Sequence, residues 1–299
     1  MTGLPNLHCH LDGSIRPDTL RALADPLGLS VPSDLPFSAG MGLVAALERF
    51  AFTLALLQTP AAVRRVADEL CVDSASDGVT TLEIRFAPQL HRGAAIPAIV
   101  DAALEGVAGR ATLLLCALYG EDPAVAEALV DVAASRPGVV GLDLAGGPAP
   151  SHSWALADYA PAFRRAGAVG LGRTVHAGEG RPPHELLTAI DRLGAERIGH
   201  GTTLLDDTRV LKRVLDAGVT IEACLTSNWH VGAIPSITAH PLVRWLELGV
   251  RACVNPDNTL LSAVTASQEH ARAAALPGMT QTLLTQAITN GHTGAFRRG

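Results

Sequence analysis

The feature that most constrains this chain is an alternation. Short, almost continuously apolar runs recur eight times, and longer alanine-rich runs with helical spacing lie between them. The strand-like runs cover residues 4–10, 80–88, 111–119, 139–147, 171–179, 196–201, 219–228 and 250–258. Helical patterns lie over 60–76, 123–135, 155–167, 184–193, 207–217 and 240–248. Strands this apolar are buried on both faces, as in a parallel sheet covered by helices. Several helices end in glycine just before the next strand, as in "DAGV" and "ELGV", which suits a helix C-terminus.

Eight such units match a (β/α)8 TIM barrel, and a doubly wound sheet is the other arrangement of the same pattern. A length of 299 residues suits one barrel domain over 1–299, since no linker or low-complexity stretch divides it. The interval 11–79 holds helical runs at 17–27 and 43–58, so it is expected to form a helical insertion after strand 1, a lid over the barrel mouth.

Hydrophobic residues make up 48% of the chain and aromatics only 4%, so alanine, leucine and valine must supply most of the core. The net charge of −6 argues against nucleic acid or an anionic membrane as partner. Five cysteines without a close CxxC pair read as reduced core residues of a cytoplasmic protein. No leader-like or membrane-spanning run is visible.

Polar residues gather at the ends of the apolar strands, where barrel active sites form. His8 and His10 are two apart, so both imidazoles leave one face of the first strand while Cys9 faces the other way. Such a pair suits a divalent metal, although an isolated H-x-H is more often surface or packing. "HAGE" adds His176 as a third imidazole and Glu179 as a proton carrier or, alternatively, an acid at a helix N-terminus. His200, between glycines in "RIGHG", reads equally as a packed histidine. Asp257 reads as an Asx-Pro turn residue or as a hard oxygen ligand. Three histidines and one carboxylate with an open position describe a catalytic zinc site, in which the ion brings the pKa of water towards ~7. Lys212 is the only lysine and lies in a polar helical run, which leaves no carboxylated-lysine bridge for a second ion.

In this order and spacing, the chain resembles the adenosine deaminase family of zinc-dependent aminohydrolases. The similarity rests on "HCHLDGSI" (8–15), "EIRFAPQLH" (83–91), "GLDLAGG" (141–147), "VHAGE" (175–179), "RIGHG" (197–201), "CLTSN" (224–228), "HPL" (240–242) and "NPDN" (255–258), and runs to about residue 275. The resemblance implies one Zn2+ per chain held by His8, His10, His176 and Asp257. It implies that His200 orients or deprotonates the attacking water and that Glu179 protonates the purine ring nitrogen beside the attacked carbon. Gly146 would offer its amide to the other ring edge, and Asp12 would meet a sugar hydroxyl. The implied reaction is hydrolytic loss of ammonia from C6 of adenosine or a related 6-aminopurine nucleoside.

The departures are informative. Asn258 stands where the family commonly has a second acid facing N7, and an amide can donate there at any pH. Pro256 replaces the usual threonine and restricts the backbone just before Asp257. Gly147 and "LYGED" (118–122) depart from the acid and the basic residue that many members carry there. His91, His152, His184, His230, His270 and His292 receive no catalytic role. Trp229 and His230 belong either to the substrate side or to a surface loop. The rival readings are the same chemistry on free adenine or a modified, futalosine-type nucleoside, a non-catalytic nucleoside-binding homologue, and a barrel hydrolase of phosphate esters or amides.

Overall fold

Eight parallel strands alternate with helices around one ring in the computed structural model, which describes residues 3–149 and 151–297. The strands are β1 (Leu4–Asn6), β2 (Val79–Phe86), β3 (Thr112–Leu118), β4 (Val139–Ala145), β5 (Gly172–Ala177), β6 (Arg197–His200), β7 (Thr220–Ala223) and β8 (Arg251–Val254). Each pairs in parallel with the next in sequence, so every connection must cross over, and helices do the crossing. The fold is the TIM barrel expected from the alternation.

The helices are α1 (Pro17–Ala24), α2 (Leu43–Leu56), α3 (Pro60–Ser76), α4 (Ile96–Val107), α5 (Pro123–Ala134) and α6 (Ala160–Ala168). They continue with α7 (His184–Asp191), α8 (Thr208–Ala217), α9 (Leu225–His230), α10 (Leu242–Glu247), α11 (Ala266–Ala274) and α12 (Gln281–Gly294). Their ends follow local chemistry. The Thr59 hydroxyl accepts from Ala62 N with Pro60 at the first helical position, and Asp122 repeats the device before Pro123. At the other end of α8, Gly218 takes a left-handed conformation (φ 64°) that a glycine adopts without strain.

One stretch departs from its expected form. Residues 219–228 look like a continuous strand, but only Thr220–Ala223 pairs, and α9 begins at Leu225. The cause is remote in sequence: the buried Glu269 carboxylate of α11 accepts from Thr226 N at 2.7 Å and from the Thr226 hydroxyl, capping the new helix from outside.

The seam between β8 and β1 is closed by a few specific bonds. Leu7 N donates to Asn255 Oδ1 at 2.8 Å, Asp257 N donates to His8 O at 3.1 Å, and His10 N donates to Asp257 O at 2.8 Å. Pro256 has no N–H to offer, and the Asn255 side chain accepts where a backbone carbonyl would in a regular ladder. On the opposite side Arg85 N donates to Cys9 O and Leu11 N to Arg85 O, each at 2.9 Å. Residues 7–11 are thereby clamped between β2 and the end of β8. At the N-terminal end of the barrel, the C-terminal segment packs inward: Phe296 stacks on the Arg197 guanidinium, with the charge 3.7 Å from the ring centroid.

Within the interval 11–79, the helices take different positions. Helix α3 packs on β2 and α4 as part of the outer ring, whereas α2 crosses the C-terminal mouth of the barrel. No helix is long and apolar enough to cross a membrane among the described residues.

Candidate metal centre and active site

The barrel interior beneath the mouth is charged, and its charges are paired. Arg85, fully buried, donates to Asp143 Oδ2 at 2.9 Å, to Glu222 Oε2 at 2.8 Å and to Leu7 O at 2.6 Å. Arg197 pairs with Glu222 Oε1 at 2.6 Å and with Glu83 Oε2 at 2.5 Å. Burial works against the Glu222 charge, but Arg85, Arg197 and His8 overcome it and hold the carboxyl well below its ordinary range. Arg85, Arg197 and Glu222 carry no role legible from the sequence. Their signal was a charge inside an apolar strand, which is rare unless the charge is paired.

This network orients two of the predicted ligands. His8 Nδ1 donates to Glu222 Oε2 at 2.7 Å, and His176 Nδ1 donates to Asp143 Oδ1 at 3.2 Å. A neutral imidazole that donates through Nδ1 keeps its Nε2 lone pair free. Those Nε2 atoms face inward. His8 Nε2 is buried without a hydrogen bond and lies 3.4 Å from Asp257 Oδ1. His10 Nε2 is 3.4 Å from the same oxygen and 3.2 Å from His176 Nε2. Burial pushes the His10 and His176 imidazoles below their ordinary value, which favours the neutral ring in both.

The structure therefore brings His8, His10, His176 and Asp257 together, with His200 adjoining His8 and His176. An orphaned, inward-facing imidazole nitrogen beside a carboxylate oxygen is what a divalent cation requires. Cys224 approaches the same cluster, but burial raises its thiol well above the ordinary range, and its Sγ donates to Glu222 O. It stays a thiol.

Two of these residues share an unusual backbone. His200 (φ 69°) and Asp257 (φ 64°) both lie in the left-handed region, and each is the middle of a three-residue turn. Gly201 N donates to Gly199 O at 3.0 Å, and Asn258 N donates to Pro256 O at 2.7 Å. Non-glycine residues with positive φ and an i→i+2 bond belong to the strained γ-turn class, and such strain of about 1–3 kcal/mol clusters at functional sites. Both turns aim a side chain sharply off a strand end.

A cavity of about 510 Å3 opens over the cluster, within the ~300–1,000 Å3 usual for small-molecule sites. Asp12, Gly146, Glu179 and Asn258 line it together with His10, His176, His200 and Asp257. Glu179 sits in a turn clamped by Thr202, whose hydroxyl donates to Gly178 O at 2.7 Å and accepts from Gly180 N at 2.9 Å. Gly178 must be glycine there: its φ is 66°, and a Cβ would lie 2.4 Å from Leu186 Cδ1. Burial pushes the Glu179 carboxyl up to about 8 and that of Asp12 up to about 7. Asp12 Oδ1 and Asn258 Oδ1 are both buried without a hydrogen-bond partner.

Helix α2 forms the apolar wall with Leu43, Val44, Leu47, Phe50 and Leu54, facing Leu90, Leu118 and Tyr119. His152, given no role from the sequence, also lines the cavity. Trp229 and His230 do not line it. Their carbonyls instead accept from Gly40 N at 3.1 Å and Met41 N at 2.8 Å, pinning the segment that leads into α2. "LYGED" places Glu121 in bonds to Gln89 and Leu118 N, and Lys212 is exposed and paired with Asp216.

A histidine–carboxylate cluster at the C-terminal mouth of a (β/α)8 barrel is the arrangement of a metal-dependent hydrolase. Comparison with known proteins narrows the class. The family model described as adenosine deaminase matches residues 4–298, well past residue 275, where the sequence resemblance was expected to end. Adenosine deaminase of Enterococcus faecalis is 33% identical over 97% of this chain and 90% of its own length. That of Yersinia enterocolitica is 32% identical over 98% and 93%. Among solved structures, the N6-methyl-AMP deaminase of Arabidopsis thaliana superposes with a TM-score of 0.86 at 26% identity, covering 99% of this chain and 93% of that one. An amidohydrolase of Burkholderia ambifaria with bound Zn gives 0.85 at 26% identity, covering 98% and 85%. The chain belongs to the adenosine deaminase family, and with it to the hydrolytic deaminases of adenine- or adenosine-type purines.

Proposed function

We propose that this protein is a cytoplasmic, zinc-dependent deaminase of adenosine or a closely related 6-aminopurine nucleoside, with one ion held by His8, His10, His176 and Asp257. Bound there, zinc supplies Lewis acidity that activates water at neutral pH. The observation that carries the reading is Glu179, a buried carboxyl pushed up to about 8, lining the same cavity as the three ligands His10, His176 and Asp257.

Each residue then has a task. Glu179 gives its proton to the purine ring nitrogen beside C6, which keeps charge from building on the ring during attack. Gly146 offers its amide to the opposite ring edge, and Asn258 faces N7 with a group that can donate at any pH. Asp12, whose Oδ1 is buried without a partner, takes a sugar hydroxyl. His200 orients the attacking water. Helix α2 and residues 30–42 act as the lid of the single domain.

The cavity also supports an uncharged nucleoside over a nucleotide. Among the described residues lining it there is no arginine or lysine, while Asp12 and Glu48 are acids. The absence of a cation there, the net charge of −6 and five buried free cysteines support a small-molecule partner and a reducing compartment. Ammonia release from a panel of 6-aminopurine bases, nucleosides and nucleotides, with zinc content measured alongside, tests the reading. Stoichiometric zinc with no ammonia from any of them overturns it.

A further inference from the structure

Behind His200 lies a chain of buried polar groups that the reaction scheme above does not use. Asn228 Nδ2 is 2.9 Å from His200 Nδ1, and Asn228 Oδ1 is 3.2 Å from His240 Nε2. The far end rests on backbone, since Leu242 N donates to His240 Nδ1 at 3.1 Å. His200, Asn228 and His240 are all buried.

The backbone sets the polarity of the whole chain. A backbone N–H can only donate, so His240 Nδ1 is an acceptor, and the proton of a neutral His240 must be on Nε2. Burial lowers the His240 pKa to about 3, so the ring stays neutral, and Trp245 packs edge-on against it at 5.1 Å. Nε2–H then donates to Asn228 Oδ1, which determines the amide orientation and turns Nδ2 toward His200. An amide NH2 can only donate, so His200 Nδ1 accepts. We propose that His240 and Asn228 are positioning residues that hold neutral His200 in its Nε2–H tautomer, so that His200 serves the reaction as a hydrogen-bond donor and not as the proton acceptor. The inference rests on the deaminase reading only for its effect on rate; the tautomer itself does not depend on it.

The test is nitrogen NMR of the zinc-loaded protein with 15N-labelled histidine, the His200 signals being assigned from their loss in His200→Gln. We expect His200 Nδ1 to resonate as an unprotonated acceptor and Nε2 as a protonated nitrogen. A protonated Nδ1 in the parent overturns the proposal, and this measurement needs no turnover. Asn228→Asp replaces the donor by an acceptor and should reverse the two signals. With zinc retained, kcat should fall about tenfold or more while KM moves less than about threefold. Equal kcat in this variant, with the tautomer reversed, would also overturn it. His240→Gln, which keeps an amide donor for Asn228, should retain the parent tautomer, whereas His240→Leu should not. If the parent releases no ammonia from any aminopurine but shows the expected tautomer, the functional reading fails and the relay stands.

Discussion

His8 Nδ1 and Glu222 Oε2 are 2.7 Å apart, and neither residue has any solvent exposure. Glu222 thus performs two tasks with one carboxylate: it fixes which nitrogen of His8 faces the cluster, and it neutralises Arg85 and Arg197. Glu222→Gln should weaken both. Removing one partner of a buried ion pair costs about 3–5 kcal/mol, and loss of a ligand-orienting bond costs about 10–100-fold in metal affinity. Thermal melts and competition with a zinc chelator measure the two separately. Parent-like values in both would show that the network is passive packing.

Glu179→Gln removes the acid but keeps the shape. The variant should hold zinc and lose about 10²–10⁴ in kcat. The parent should lose activity as pH rises through about 8, where the carboxyl gives up its proton, and a cation bound nearby draws that limb lower. Stability follows the same shift. Between the ordinary value of 4.5 and about 8, the folded protein keeps a proton that the unfolded chain has released, so the contribution of Glu179 falls with rising pH across that window. Melts of parent and variant through this range should converge at low pH and diverge in favour of Gln at high pH.

The acids lining the cavity make a comparison of two substrates informative. A 5′-phosphate would enter a space with Asp12 and Glu48 and no lining arginine or lysine among the described residues. Glu48 is exposed and the Asp12 carboxyl is pushed up to about 7, so the repulsion is partial and kcat/KM for adenosine should exceed that for its 5′-monophosphate by roughly tenfold. Equal values would reject the electrostatic argument.

Gly13 is where Asn258 finds room. A Cβ at Gly13 would lie 2.0 Å from Asn258 Oδ1, the mobile end of that side chain. Gly13→Ala should therefore push Asn258 out of place, raise KM by roughly tenfold through a lost contact worth about 1.4 kcal/mol, and leave zinc content unchanged. An unaltered KM would separate Asn258 from purine binding.

Much of this was legible in the chain because strand ends in a barrel converge by topology. Once eight strands are counted, His8, His10, His176 and Asp257 must point toward one mouth. The supporting network was harder to see. Nothing in "VTIEAC" says that Glu222 pairs with Arg85, 137 residues away, and not with some nearer base. Helix α9 was hidden for a related reason, since its cap comes from Glu269, 43 residues downstream. Long-range partners decide these features, and a single sequence does not print partners.

Asp257 is at once a rung of the barrel seam and a predicted ligand, held by its backbone to His8 and His10 while its side chain faces theirs. Metal uptake and ring closure would then share the same three residues, and a bound ion would act as a clasp on that joint of the cylinder. Anything that binds only the closed form lowers the population of opened chains by mass action. Zinc supply would thus govern how long a molecule of this protein survives unfolding and proteolysis, as well as how fast it works.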